Sequence, residues 1–124
     1  MLANYNCATF IPASDLGRAQ KFYADKLGFQ PVEANEGLLL YQSGSTQFAV
    51  YATQFAGLAQ HTLMSWEVDD LDAVMADLRG RGVVFEEYDM PGLTTVNGIA
   101  ELGPARAAWF KDSEGNILNV TQQG

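Results

Sequence analysis

Cys7-Ala8-Thr9-Phe10-Ile11, then Asp15-Leu16-Gly17-Arg18-Ala19-Gln20-Lys21-Phe22-Tyr23 closed by Leu27-Gly28, is the stretch on which the fold turns. A short apolar run reads as a strand, and Leu16, Ala19, Phe22, Tyr23 and Leu27 then recur at helical spacing. Asp15 suits the N-cap, because a short side-chain oxygen accepts from the unpaired amides of the first turn, an effect of about 1 kcal/mol. Gly28 stops the helix, since glycine tolerates a left-handed backbone cheaply. The same succession returns downstream: Leu63-Met64-Ser65-Trp66-Glu67-Val68, then Asp70, then Leu71, Val74, Met75 and Leu78 before Gly80 and Gly82. The two halves are versions of one unit.

After each helix the pattern alternates like a strand, over Phe29 to Val32, Leu38 to Tyr41 and Gln47 to Tyr51, then over Val83 to Phe85, Ala107 to Phe110 and Ile117 to Val120. Turn chemistry separates the last two strands of each half, at Ser43-Gly44-Ser45 and Asp112-Ser113-Glu114-Gly115. The order is βαβββ twice, an α+β fold in one domain spanning residues 1–124, with modules at about 3–54 and 61–122. Tyr88 to Gly103 breaks the symmetry: it is polar, carries Pro91, Gly92, Gly98 and Gly103, and reads as a long loop. It is either a lid over a binding site or a longer hairpin with no role.

A chain of 124 residues buries roughly two-thirds of its unfolded surface on folding, enough for a real core. Seven basic against fifteen acidic residues leave a net charge of −8, which repels nucleic acid and an anionic membrane face. The longest apolar runs, such as Leu38-Leu39-Leu40-Tyr41, are far too short to span a bilayer. One cysteine makes no internal disulfide, and Met1-Leu2-Ala3-Asn4-Tyr5 lacks the features of a secretory signal, so the expected compartment is the cytoplasm.

The chain resembles the glyoxalase/bleomycin-resistance/dioxygenase (vicinal oxygen chelate) superfamily. The resemblance rests on the Asp15–Tyr23 segment with Leu27-Gly28-Phe29, on Val68-Asp69-Asp70-Leu71-Asp72-Ala73, and on Phe110-Lys111-Asp112-Ser113-Glu114-Gly115-Asn116. These occur in family order over nearly the whole chain. The resemblance implies that the modules build a cupped mixed sheet, whose inner face carries His and Glu metal ligands in metal-dependent members. The corresponding positions here are Ala8, seven residues before Asp15, and Leu63, seven before Asp70. Asn119, three after Asn116, takes the last-strand position, with Val50 as its counterpart in the first half. Transition-metal sites need converging imidazole, thiolate or carboxylate groups, so the expectation is no metal and no cofactor.

Other residues have two readings each. His61, the only histidine, either lines the pocket on the face of Leu63 or is a strand-end residue bonded to backbone or water. Glu67, on the alternation of Leu63 and Ser65, is a general base, a polar anchor or a solvated strand end. Cys7, next to Ala8, is expected to face away from the cup as a buried, inert thiol. Trp66 and Trp109 are core aromatics, or Trp109 is a wall against a planar ligand. The acidic Asp69, Asp70 and Asp72 complement a helix dipole rather than form a metal site.

Three functions follow, the last an accessory or structural dimer with no ligand. The first is a binding protein whose cup, lined by Ala8, Phe10, Val50, Leu63, Ser65, Trp109, Ile117 and Asn119 and roofed by Leu93 and Thr94, takes a small, largely apolar or aromatic molecule. The second is a glyoxalase-, lyase- or dioxygenase-like enzyme with an unconventional site using His61, Glu67, Asp89 or Glu101. The resemblance also implies a homodimer in which modules of different subunits complete each cup.

Overall fold

The computed structural model describes residues 1–124. After a single 3-10 turn, Leu2–Asn4, module 1 runs β1 (Thr9–Ala13), α1 (Leu16–Asp25), β2 (Glu33–Ala34), β3 (Leu38–Ser43) and β4 (Thr46–Ala52). Module 2 runs β5 (Thr62–Glu67), α2 (Leu71–Gly80), β6 (Asp89–Met90), β7 (Leu93–Val96), β8 (Ile99–Leu102), β9 (Ala105–Lys111) and β10 (Ile117–Gln122). The sheets are separate, ordered β1-β4-β3-β2 and β5-β10-β9-β8-β7-β6. In each, the first strand is an edge and pairs in parallel with the last strand of its module, while the remaining pairs are antiparallel. The fold is α+β as expected, and the caps are as read: Asp15 accepts from the Arg18 amide at 2.9 Å and Asp70 from the Ala73 amide at 3.1 Å. Neither helix is long and apolar enough to cross a membrane.

The segment from Tyr88 to Gly103 is not a loop. It forms β6, β7 and β8 and widens the second sheet. Asn97 and Gly98 turn β7 into β8 with φ of 54° and 80°, the pair of positive values that a tight two-residue hairpin requires. Glu87 holds this hairpin, accepting from the Gly98 amide and the Thr95 hydroxyl. Val83 to Phe85, by contrast, makes only an isolated bridge between Phe85 and Phe110. The strand expected over Phe29 to Val32 starts instead at Glu33. Pro31 has no amide to give a ladder, and Phe29 is drawn to Tyr41 and Phe48, its ring centroid 6.0 and 5.3 Å from theirs.

One core serves both modules. Ile11, Tyr23, Tyr41, Phe48 and Val50 of module 1 join Leu71, Met75, Phe110, Leu118 and Val120 of module 2. Rings bridge the boundary, Phe48 meeting Trp66 edge-on at 6.1 Å and Trp66 stacking on Phe110 at 6.5 Å. Tyr41 is fully buried, yet its hydroxyl has no hydrogen-bond partner, and burial pushes its pKa up to about 12.

A buried polar turn fastens the modules. Asp112 accepts from the Tyr23 hydroxyl at 2.7 Å, from the amides of Glu114 and Asn116, and from the Asn116 side chain. The Asn116 side chain also donates to the Pro12 carbonyl at 2.8 Å. Glu114, its side chain 0% exposed, accepts from the Asp15 amide at 3.0 Å, from Arg18 Nε at 2.8 Å, and from Ser14 and Ser113. Gly57, between the modules, passes this turn with φ +77°, and a Cβ there would stand 2.7 Å from the Glu114 carbonyl.

Burial alone would raise the Glu114 pKa, but the Arg18, Asp15 and Ser113 hydrogen bonds and the Arg18 charge outweigh it and lower the value from 4.5 to about 2. A depressed carboxylate stabilises the fold above its unfolded pKa and loses that contribution as the pH falls through the folded one. Glu114 therefore contributes about 3 kcal/mol at neutral pH, lost between about pH 4.5 and 2. Urea unfolding of Glu114→Gln should show a deficit of that size at pH 7 that shrinks toward pH 2; a pH-independent deficit contradicts the assignment. Tyr41→Phe, which deletes an unsatisfied buried hydroxyl, should gain about 1 kcal/mol in the same measurement, and a loss would mean the hydroxyl has a partner.

Candidate functional site

The shared core decides which sheet faces are open. Ile11, Ala13, Phe48 and Val50 point into it, so alternation turns Phe10, Pro12, Ala49 and Tyr51 outward. Phe10 is 56% exposed and its ring lies 5.9 Å from that of Tyr51. In module 2, Ala108, Phe110, Leu118 and Val120 point inward, leaving Ala107, Trp109, Asn119 and Thr121 on the outer face.

Asn119 is the centre of that outer face, paired in register with Ser65 on one side and Trp109 on the other. Its Oδ1 accepts from the Ser65 hydroxyl at 2.5 Å and the Thr121 hydroxyl at 2.6 Å. Both hydroxyls hold the amide plane in place and leave Nδ2 as a donor without a protein acceptor. Trp109 is fixed in turn, its Nε1 donating to Thr62 Oγ1 at 3.0 Å and its ring meeting Tyr88 edge-on at 5.7 Å. The result is a rigid indole beside one oriented amide.

The expected site residues fare unevenly. Phe10, Ser65, Trp109 and Asn119 occupy outer faces as read. Ala8 is exposed, just ahead of β1. Val50 does not line the site: it is 0% exposed, packed in the core opposite Ile11. Of its neighbours on the outer face, Tyr51 is half-buried and Ala49 is as enclosed as Val50. Leu63 sits where the β5–β10 register slips by one residue, so Thr62 rather than Leu63 pairs with Ile117. That slip also breaks the alternation by which His61 was placed beside Leu63. His61 is exposed, and its Nδ1 reaches only the Thr62 carbonyl at 3.2 Å.

Glu67 pairs in register with Thr121 and makes no hydrogen bond or ion pair. Leu93 and Thr94 belong to β7, a strand of the sheet rather than a roof. Asp89 and Glu101 are exposed on β6 and β8, Glu101 lying 3.5 Å from Arg106. Cys7 is exposed, not buried, because the chain joins the sheet only at Thr9. Tyr51, Thr62 and Thr121 were missed. Counting alternation from Phe10 across the parallel β1–β4 pair finds Tyr51; the bulge that brings in Thr62 leaves no signal in the sequence.

The donor chemistry does not fit a metal. Ala8 and Leu63 carry no donor atom, Val50 is buried, and Asn119 is a neutral amide with its oxygen already engaged. No three His, Cys, Asp or Glu side chains of the chain converge. The arrangement offers apolar and aromatic surface with a few fixed polar groups.

The family model described as the Glyoxalase/Bleomycin resistance protein/Dioxygenase superfamily matches residues 6–120. The chain belongs to this superfamily. Among solved structures, a bleomycin resistance determinant encoded on the transposon Tn5 aligns with a TM-score of 0.73 at 20% identity, covering 96% of this chain and 98% of that one. TnmS3, an antibiotic binding protein from Streptomyces sp. CB03234, aligns at 0.66 and 22% identity over 97% and 98% of the two chains. A lactoylglutathione lyase from Agrobacterium tumefaciens aligns at 0.72 and 16% identity over 95% and 92%. At these identities the likeness is one of fold. No curated protein sequence gives a match.

Equilibrium dialysis against zinc, manganese, nickel or ferrous iron should leave well under one ion per chain. Near-stoichiometric retention, abolished by a substitution on these faces, would overturn the reading of the donor set.

Proposed function

We propose that this superfamily member is a metal-independent binding protein for a small, largely apolar or aromatic molecule, working as a homodimer. The observation that carries the reading is the fixed Trp109 beside Asn119, whose Nδ2 points its donor capacity at no group of the protein. A planar ligand stacks on the indole while one of its acceptor atoms takes the amide proton. Glu67, a free carboxylate in register two residues along from Ser65, serves as a second polar contact rather than a base.

Dimerisation is supported by what a single chain leaves open. The outer faces expose Phe10 and the Trp109 surround. A second copy laying the outer face of its first sheet across that of the second brings Phe10 and Tyr51 across from Trp109 and encloses the ligand. Because TnmS3, of the same fold, is an antibiotic binding protein, antibiotics with a planar aromatic part are the first compounds to try.

A thermal-shift screen of such compounds should yield at least one that raises Tm saturably without being turned over. Asn119→Ala should weaken that compound about tenfold, the value of one well-placed hydrogen bond from a buried amide. Light scattering should give twice the 13.5 kDa chain mass, reduced toward one chain by Phe10→Asp. A strict monomer at micromolar concentration, or binding indifferent to Asn119 and Trp109, would count against the reading.

A further inference from the structure

On the opposite side of the second sheet lies a separate cavity. It opens between α2, the β5 edge and the segment that follows α1, and its volume is about 240 Å³. Phe29, Trp66 and Phe110 form one wall, with Trp66 within 26° of the Phe29 plane and 13° of the Phe110 plane. Val74 and Leu78 close it from α2 and Leu27 from the segment after α1. The indole is fixed by Nε1, which donates to Ser43 Oγ at 3.0 Å.

Charge is confined to the rim of this cavity. Asp77 lies at its rim but is engaged by Arg81, 3.2 Å away. Glu67 borders it through the main chain: the register with Thr121 sends its side chain to the other face of the sheet. The Val68 amide donates to Thr121 of β10, so by strand alternation the preceding amide, that of Glu67, faces the free edge. A ligand here meets planar aromatic walls, one edge of exposed backbone polarity and no available counter-ion.

We infer that this cavity is a second binding site, for a neutral aromatic molecule of one or two rings bearing one hydrogen-bonding group. Its volume sets the size, being about one and a half times that of a cavity known to hold benzene. The stacked walls set planarity, and the absence of a free charge sets neutrality, because an ion would lose its hydration without replacement. The edge amide or carbonyl beside Glu67 takes the polar group.

Isothermal titration with indole, indole-3-carboxylate and tryptamine on the intact protein tests this directly. Indole should bind saturably, and both charged analogues at least about tenfold more weakly, as expected when charge is desolvated unpaired. Val74→Phe, filling the cavity, should abolish indole binding, while Leu58→Ser, exposed and outside both sites, leaves it unchanged. Leu27→Phe fills the same space from the segment after α1 and serves if Val74→Phe melts early. No indole binding, equal binding of the charged analogues, or binding that survives both filling variants would each overturn the proposal. Binding that survives both filling variants but is lost in Trp109→Ala would place indole on the outer face and leave the proposed function standing.

Discussion

Through the Glu114 carboxylate, the turn before β10 and the start of α1 hold one another. The carboxylate is fully enclosed and accepts from four groups: the Ser14 hydroxyl, the Asp15 amide and the Arg18 guanidinium at the start of α1, and the Ser113 hydroxyl of its own turn. Enclosing a charge is costly unless every lone pair is used, and here they are used. With Asp112 holding Tyr23 and Asn116 holding the Pro12 carbonyl, the turn before β10 becomes part of module 1's framework. The common core between the sheets follows from that attachment, and so does the outward turning of the opposite faces.

The outer site inherits its rigidity from the same source. β10 carries Leu118 and Val120 into the core and Asn119 and Thr121 out of it, so the residues that hold the sheet down and those that present the amide alternate on one strand. The hydroxyls of Ser65 and Thr121 converge on one oxygen of Asn119, which fixes the amide with groups too small to obstruct a ligand. The polar group is therefore oriented in advance, which would lower the entropic cost of the binding proposed for this face.

Much of this was legible in the sequence. The doubled helix signal, with Asp15 and Asp70 as caps, identified the two modules, because capping and helical spacing are local properties. Asn119 was located by the family correspondence and Ser65 by alternation, and both face away from the core, as do Phe10 and Trp109, the latter against its reading as a core aromatic. Val50 was misplaced because the family correspondence was counted along the chain, whereas its facing is fixed by the parallel register with Ile11. The slip at Leu63 likewise depends on how two distant strands mesh, and one extra residue in a strand looks the same in sequence as none. The β7–β8 hairpin was readable from Val96-Asn97-Gly98-Ile99, but the surrounding polarity outweighed the turn signal.

The fastening turn also sets the order in which the chain assembles. Its contacts to module 1 link residues about a hundred positions apart, Asn116 to Pro12 and Glu114 to Ser14 and Arg18. Contacts of such long range require closing nearly the whole chain as a loop, a step that is slow compared with forming either helix. During synthesis, module 1 emerges with Ser14, Arg18, Tyr23 and its aromatic face waiting for partners at the far end of the sequence. The first half of this protein is thus committed to its final packing last, and until β10 arrives its apolar surface depends on the second half not being delayed.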